Sequence, residues 1–532
     1  MLIGRETECV TLRGAFEQSL MRRHIAAVIG PAGIGKTRLF QSLRQDIRNT
    51  GVVVDVTPGS RYLPFGCAQD LAEVLGLPAH TVFDAAGQTE LAKRLPSLVV
   101  IENWQWCDDD SRRLIRRLQT DRPVGLLLVS SRTDISDLVI DTEMRLSALD
   151  QKASYALIEQ LAPNSFDDEL RRSVYELTSG TPFWLVQAAH HFSDGPSVEN
   201  VTGLERLLSA RAQTLTPSAL ALWRMHCAWR WPLSFERARN ILSKFDIQIS
   251  PPHLRELQNL GWLSPDGDGY RPAHDILADW GLADLPVTFE RNLHSTIARS
   301  LSKTNGSPAR IARHWQIADY QLRAAVWYKR ASHRADHAGS HRLTLTHLDQ
   351  FERLSGASSK NKPLRELDRL ALSATANWGV GKLRRAKQVL ARFDSVAKTV
   401  PNSSQKRDAL QRAATIQSEV GQFAGNANLI LTGIYRGWRN GGDVAGAYEI
   451  KSRRQGFINY TLGLLRLPVD GRLERLVAKA HARGEYRSEA LLGCAAATLH
   501  IKRCDTRHAH ALWRPNARGV HPRASGAIQA YN

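Results

Sequence analysis

The chain has 532 residues, of which 43% are hydrophobic and 23% are charged. This length exceeds what one hydrophobic core supports, so about three domains are expected. No apolar run approaches the length of a membrane span, which excludes a membrane-spanning protein. The six cysteines are scattered without a C-x-x-C pair, and they predict free thiols in a reducing compartment, the cytoplasm.

The formal net charge of +19 has two interpretations. Arg and Lys are spread over many helical segments rather than packed in one block, which is typical of solvated helix faces. A chain this basic can also attract nucleic acid through a non-specific electrostatic interaction. Both interpretations stay open at this point.

The stretch from Gly30 to Thr37 fits the phosphate-binding pattern G-x-x-x-x-G-K-[ST]. An apolar run at 25–29 precedes it as a buried strand would, and a helix-compatible segment at 37–47 follows. Lys36 would reach the β- and γ-phosphates of ATP, and the Thr37 hydroxyl would coordinate Mg²⁺. The alternative is a glycine-rich turn with an exposed lysine. The loop residues that would surround the phosphates are Gly30, Pro31, Ala32, Gly33, Ile34 and Gly35.

A second nucleotide motif is expected at 98–111, where an apolar strand ends in an acid. That acid, Glu102, falls at the carboxyl end of the strand, where open α/β sheets bind their ligands. Glu102 would hold Mg²⁺ directly or through water. The alternative is a surface acid that ends a strand.

These motifs follow Gly4-Arg5-Glu6, and Trp106, Asp108 and Ser111 come after the acidic strand. The arrangement resembles the STAND-class signalling ATPases. It is most similar to the AAA-like module of large ATP-binding regulators of the LuxR type and of cyclase-linked ATPases. The resemblance places Arg5 near the adenine; the alternative is a surface arginine, and Arg5 alone indicates little.

The resemblance also points to two departures. Glu102 stands where the family has the Mg²⁺-linked Asp, and Asn103 stands where it has the acid that polarises the attacking water. Asn can orient a water molecule but cannot accept its proton. The sequence therefore favours ATP binding over hydrolysis, and a weak ATPase in which Glu102 is the base and Asp108 helps at the metal stays open.

Further along, 51–56 and 124–130 predict two more strands. In the family, an arginine at the position of Arg132 senses the γ-phosphate; the alternative is a surface arginine. Residues 170–187 predict a helix broken at 179–182. This break resembles the family's Gly-x-Pro motif, which would bring Pro182 to the adenine, whereas the alternative is a plain helix end.

Residues 201–285 predict helices followed by a hairpin with a D-G turn at 261–270, an arrangement typical of a winged helix. His274 and Asp275 match the stretch that follows the wing in the family. For His274 we favour a packed, hydrogen-bonded histidine over a metal ligand or a catalytic residue, because no second histidine is suitably spaced. In the family the winged helix packs on the ATPase as a switch element.

From about residue 288 the chain predicts successive helices, which are compatible with degenerate tetratricopeptide-like repeats. Such arrays form concave surfaces, here for a protein or a small-molecule inducer. The tail at 505–532 is basic and predicts disorder. No segment of the LuxR helix-turn-helix type is found, so we expect the effector domain to lie on a partner or the reading frame to be truncated.

The fold class expected is an α/β P-loop NTPase domain followed by a winged helix and an all-α TPR-like solenoid. The expected divisions are 1–150 for the ATPase, 151–200 for a helical lid, 201–287 for the winged helix, 288–504 for the repeats and 505–532 for the tail.

The function expected is an ATP-binding signalling switch that regulates transcription, with its nucleotide state controlling self-oligomerisation or partner binding. The alternatives are an ATPase that works through hydrolysis cycles, a nucleic-acid-binding ATPase that contacts DNA directly or through a partner, and a helical scaffold with a vestigial P-loop.

Overall fold

The computed structural model describes residues 2–423 with gaps at 47–50, 164, 193–203, 284 and 357–362, and six single positions beyond them: 429, 432, 433, 436, 475 and 478. The helices expected from residue 426 onward and the tail at 505–532 thus lie outside the described stretches. None of the helices described is long and apolar enough to cross a membrane.

Five parallel strands form a sheet in the N-terminal part of the chain, in the order β2-β3-β4-β1-β5. Every residue of β3 and β4 is buried, because helices cover both faces of the sheet. Four strands match the predictions, but β5 was not predicted, since it buries only Met144 and lacks an apolar run. The strands are β1 Arg23–Ile29, β2 Val52–Asp55, β3 Leu98–Glu102, β4 Gly125–Ser131 and β5 Thr142–Arg145.

Two hydrophobic clusters lie on the two faces of this sheet. Along β4, Leu126 and Leu128 join one cluster, while Leu127 and Val129 join the other, as the alternation of side chains along a strand requires. The first cluster is completed by α1 Glu6–Ser19 and α2 Lys36–Asp46, and the second by α3 Gly66–Val74, α4 Ala85–Arg94 and α5 Asp109–Thr120.

Three helices follow the sheet: α6 Gln151–Leu161, α7 Asp168–Thr178 and α8 Pro182–Phe192. The break predicted at 179–182 separates α7 from α8. Gly180 has a φ of 68°, and a Cβ there would lie 2.1 Å from the Leu149 carbonyl oxygen. A glycine is therefore required for the chain to turn at this point.

The segment that follows has the predicted order of helices and hairpin. Trp223 and Trp262 are fully buried in its core, with ring centroids 4.5 Å apart. Leu233 also pairs with Tyr270 of the hairpin. The elements are α9 Leu204–Gln213, α10 Pro217–Trp229, α11 Phe235–Leu242, α12 Pro251–Asn259, the antiparallel strands β6 Leu263–Asp266 and β7 Gly269–Pro272, and α13 Asp275–Trp280.

In the described part of the chain, seven further helices form the helical array, in which successive helices pack against each other. One hydrophobic core continues from Leu208 to Phe351, across the expected division at residue 287. The segment that contains the hairpin and the first helices of the array therefore share their packing. The array consists of α14 Val287–Lys303, α15 Pro308–Ile317, α16 Gln321–His337, α17 His341–Ser355, α18 Pro363–Gly379, α19 Leu383–Thr399 and α20 Ser404–Phe423.

Candidate functional site

The carboxyl ends of the parallel strands meet at one edge of the sheet. The predicted phosphate loop follows β1, Asp55 ends β2, Glu102 ends β3 and Arg132 follows β4. The register pairs Asp55 directly with Glu102. This edge is where doubly wound sheets place their ligands. It gathers Glu102 and Arg132, which the sequence singles out, together with Asp55, which it does not.

The phosphate loop holds its lysine inside. Lys36 Nζ donates to the carbonyl oxygens of Gly30, at 2.7 Å, and Pro31, at 2.8 Å. Gly33 and Gly35 have φ values of 80° and 101°, a backbone conformation that favours glycine. Burial, followed by the nearby Arg132 charge, lowers the pKa of Lys36 to about 8. The ammonium group thus lies within the loop predicted to surround the phosphates.

The two side chains predicted to bind Mg²⁺ touch each other, since the Thr37 hydroxyl donates to the Glu102 carboxylate. Burial and the neighbouring Asp55 charge raise the pKa of Glu102 to about 7. These two oxygen donors fit Mg²⁺, which usually binds through one or two protein groups together with phosphates and waters. No cluster of three or more His, Cys, Asp or Glu side chains suited to a metal occurs in the described ranges.

Asn103 is held by its neighbours. Its φ is 60°, its Nδ2 donates to Asp55 Oδ1 at 2.8 Å, and its Oδ1 accepts from Gln105 Nε2 at 3.1 Å. Asn103 therefore has a fixed orientation beside Glu102.

Asp108 lies at the start of α5, which follows β3. It accepts from the Ser111 amide at 2.9 Å, from the Ser111 hydroxyl at 2.6 Å and from the Cys67 amide at 3.3 Å. Burial raises the pKa of Asp108 to about 6. The hydrogen bond from the Ser111 amide makes Asp108 the N-cap of α5, and the other two donors hold its carboxylate in place.

Two arginine–carboxylate pairs join the sheet edge, where the parallel strands have their carboxyl ends, to the hairpin segment, residues 204–280. Arg132 donates to Asp275, the first residue of α13. Arg271, on β7, pairs with Asp55 and also lies 3.3 Å from Asp266. Residues more than 140 positions apart in sequence thus meet directly at the predicted nucleotide site.

His274 packs against Phe183 and accepts a hydrogen bond from the backbone of α13. Its ring lies 4.5 Å from that of Phe183, centroid to centroid, and its Nδ1 accepts from the Ile276 amide at 3.1 Å. Burial, followed by the charges of Arg132 and Lys36, lowers the pKa of His274 to about 4. These contacts agree with the favoured interpretation of a packed, hydrogen-bonded histidine.

The start of α8 lies against the phosphate loop. The Phe183 amide donates to the Gly33 carbonyl at 3.0 Å, and a Cβ on Gly33 would lie 2.6 Å from Phe183 Cβ. Pro182 is within 4.0 Å of the Cβ position of Gly35. The structure therefore brings Pro182 to the loop, as the sequence predicts for a lid, while its contact with adenine stays a prediction.

Arg5 supports the loop from its other side. Only 5% of Arg5 is exposed, and its Nη2 donates to the carbonyl oxygens of Ile34, at 3.3 Å, and Ser147, at 2.5 Å. Its Nη1 lies 3.0 Å from Glu8. Arg5 is thus a buried partner of the loop backbone, and its proximity to the adenine stays a prediction.

The sequence did not identify Asp55, Phe183 or Arg271 as members of this site. Asp55 carried a usable signal, because it is an acid at the carboxyl end of a predicted strand beside β3. Arg271 and Phe183 carried none, since their positions depend on how separate parts of the chain pack.

The helical array also contacts the nucleotide part of the chain. The Ser340 hydroxyl donates to Asp110, and Arg342 lies 3.2 Å from Asp109. Both acids are in the first turn of α5, directly after the Asp108 cap. The Arg313 guanidinium lies 5.6 Å from the ring centroid of Tyr62. The array therefore contacts α5, the helix that follows β3.

No protein-family model matches the sequence, and no curated protein matches it. Among solved structures, the chain is similar to a Signal Transduction ATPase with Numerous Domains (STAND) protein with a tetratricopeptide repeat sensor from Pyrococcus horikoshii. The TM-score is 0.50 and the identity 14%, over 99% of this chain and 84% of that one. This likeness shows the fold: an α/β NTPase sheet followed by a helical solenoid.

Two other solved structures resemble this chain with lower TM-scores. A Walker-type ATPase of Pyrococcus abyssi has a TM-score of 0.31 and 16% identity, over 52% of this chain and 95% of that one. The aspartyl phosphate phosphatase F of Bacillus subtilis has a TM-score of 0.31 and 11% identity, over 69% of this chain and 88% of that one.

Proposed function

We propose that this protein is an ATP-binding signalling switch whose nucleotide state controls the contact between the sheet edge and the hairpin segment. The observation that carries the proposal is the position of Arg132. Its guanidinium bonds to Asp275 of α13, and its charge acts on Lys36 of the phosphate loop. One side chain thus links the predicted γ-phosphate position to a separate segment.

In this proposal Lys36 binds the β- and γ-phosphates, and Thr37 and Glu102 bind Mg²⁺. Arg132 would turn from Asp275 to a γ-phosphate, because a phosphate competes strongly for a guanidinium. Loss of the pair between Arg132 and Asp275 would weaken the contact of α13 with the sheet edge. With ADP, Arg132 would keep Asp275, and the segment would stay docked.

The hairpin segment fits this role as a winged helix used as a switch element. Arg271 of β7 pairs with Asp55, which supports a role for the hairpin in contact with the ATPase part. The output we propose is regulation of transcription, through self-oligomerisation or through a partner. The STAND protein that shares the fold carries a tetratricopeptide repeat sensor, which supports a sensing role for the array here.

Hydrolysis would be slow at most. Asn103 cannot accept a proton, and it is fixed by Asp55 and Gln105. Glu102 is the alternative base, and in this proposal it binds Mg²⁺ together with Thr37, whose hydroxyl donates to its carboxylate.

Binding and turnover of Mg²⁺-ATP by the purified protein, beside Lys36→Ala, tests the proposal. We expect binding by the wild type, at least a 100-fold loss in the variant, and turnover well below the usual enzyme median of about 10 per second. Fast turnover would favour an enzyme working through hydrolysis cycles. Equal absence of binding in both proteins would contradict the nucleotide role.

A further inference from the structure

The helical array contains a cavity of about 690 Å³ between α17, α18 and α19. This volume is within the range of small-molecule sites, roughly 300–1,000 Å³. Part of its wall is aliphatic and can cover the apolar body of a ligand, through Leu345, Leu348, Leu370 and Val389. We call this space the α17–α19 cavity.

Two of the basic residues that line the cavity are already paired. Arg369 is mostly buried, bonds to Glu352, and donates to Glu366 from Nε at 2.7 Å and Nη2 at 2.8 Å. Arg392 lies 2.7 Å from the same Glu366. This network satisfies its own charges and fixes the geometry of α18 against α17 and α19.

Two other basic residues of the lining, Lys382 and Arg385, have no acidic partner in the described parts of the chain. Both are exposed, and the only side-chain contact of Arg385 there is a long one, 3.5 Å, to Gln388. Asp349, which also lines the cavity, offsets one of the two charges. An excess of positive charge therefore remains beside the aliphatic wall.

The cavity also has polar groups with hydrogen-bonding capacity left. Asn377 Nδ2 donates to the Ser373 carbonyl at 2.8 Å and to the Ser373 hydroxyl oxygen at 3.2 Å. The hydroxyl hydrogen of Ser373 and the Oδ1 of Asn377 are then available to a ligand. Both residues are more than nine-tenths buried, and the two bonds from Nδ2 fix the orientation of the Asn377 amide.

We propose that the α17–α19 cavity binds a small organic anion. Its carboxylate, phosphate or sulfonate group pairs with Lys382 and Arg385, its polar groups meet Ser373 and Asn377, and its apolar part covers the leucines.

The same helix α17 follows Ser340, whose hydroxyl bonds to Asp110 at the start of α5. A ligand that shifts α17 therefore acts on the helix that follows β3. The idea that this ligand is the stimulus of the switch rests on the proposed function. The binding of the ligand to the cavity does not depend on that function.

The probe is 8-anilinonaphthalene-1-sulfonate, a fluorescent molecule that joins a sulfonate to apolar rings. It is titrated into the full chain without nucleotide, beside Lys382→Glu/Arg385→Glu. The matched control is Arg384→Glu/Lys387→Glu, which makes the same charge change at exposed positions of α19 that do not line the cavity. We expect about tenfold weaker binding in the first variant and less than twofold change in the control.

Equal affinities in the two double variants would overturn the site. If charge reversal prevents folding, Lys382→Gln/Arg385→Gln against Arg384→Gln/Lys387→Gln gives the same comparison with a smaller expected difference, about threefold. The release rate of ADP, measured with and without the probe, is the second readout. Selective loss of probe binding in a protein that binds no nucleotide would keep the site and contradict the proposed function alone.

Discussion

The nucleotide site and the α17–α19 cavity both contain charged side chains from separate elements. They differ in how many of their basic side chains are paired with acids. At the sheet edge, Arg132 and Arg271 are paired with acids, and each pair joins two parts of the chain. In the cavity, Lys382 and Arg385 form no ion pair among the described residues, and Asp349 offsets only one of the two charges. Charges paired between segments hold those segments together, whereas unpaired charges beside an aliphatic wall are available to a ligand.

The largest effect is expected at the contact between the phosphate loop and α8. Gly33→Ala places a Cβ 2.6 Å from Phe183 Cβ at a φ of 80°, so it combines overlap with backbone strain. We expect the free energy of unfolding to fall by about 3 kcal/mol and ATP binding to be lost, as measured by urea unfolding and nucleotide titration.

The matched control is Gly14→Ala in α1, where a Cβ meets nothing within 4 Å. It is expected to raise the free energy of unfolding by roughly 0.5–1 kcal/mol, because alanine favours helix. A Gly33→Ala protein as stable as the wild type would show that α8 does not pack on the loop.

A smaller effect is expected at a cluster within the helical array in which an acid is paired with basic side chains. Burial alone would raise the pKa of Asp368, but the hydrogen bond with His333 and the charges of Lys329 and Arg412 outweigh it and hold that pKa well below its ordinary value. Asp368→Asn should lower the free energy of unfolding by about 2 kcal/mol at pH 7.

The pH dependence of this effect has a definite sign. Because the folded pKa of Asp368 is lowered, its stabilisation is complete above its unfolded pKa, about 3.9, and is lost as pH falls through the lower folded value. The difference between wild type and Asp368→Asn should therefore shrink below about pH 4, measured by denaturant midpoints. Lys382→Gln is the contrasting substitution, with almost no change at any pH.

Asn103→Asp separates two accounts of the sheet edge. If the only difference from an active ATPase were the missing acid at position 103, the substitution would raise turnover. The structure predicts instead a loss of about 1 kcal/mol in stability without a gain in turnover, since the new carboxylate would face Asp55 where Asn103 now donates. Asp55→Asn in the same chain should restore part of the stability, and a rise in turnover with unchanged stability would favour the first account.

The smallest effect is expected for the pair between Arg132 and Asp275, whose side chains are 24% and 31% exposed. A double-mutant cycle of Arg132→Gln and Asp275→Asn should give a coupling energy of roughly 0.5–1 kcal/mol without nucleotide. Saturating Mg²⁺-ATP should reduce this coupling, and Mg²⁺-ADP should leave it unchanged. Equal coupling in all three conditions would contradict competition for Arg132.

The sequence predicted the parts of the site that are local in the chain. The phosphate loop needs only its glycines, Lys36 and Thr37 in one short stretch, and Glu102 needs only an apolar strand before it. Strand β5, at one side of the sheet, was not predicted, because its side chains are mostly exposed and it contains no apolar run.

The contacts between distant segments could not be predicted in this way. Asp275 lies 143 positions after Arg132, and Ser340 lies 230 positions after Asp110. Such pairs depend on how the hairpin segment and the array pack on the sheet. The α17–α19 cavity has the same origin, because Lys382 and Arg385 are ordinary exposed residues in the sequence and form a site only beside α17 and α18.

Hydrogen–deuterium exchange over residues 263–280 is the most direct test of the central claim, that nucleotide controls the docking of the hairpin segment. It is measured on the full chain with saturating Mg²⁺-ADP and with a non-hydrolysable ATP analogue and Mg²⁺. We predict faster exchange in β7 and α13 with the ATP analogue, because Arg132 would leave Asp275. Identical exchange in the two states, with both nucleotides shown to be bound, would contradict the account.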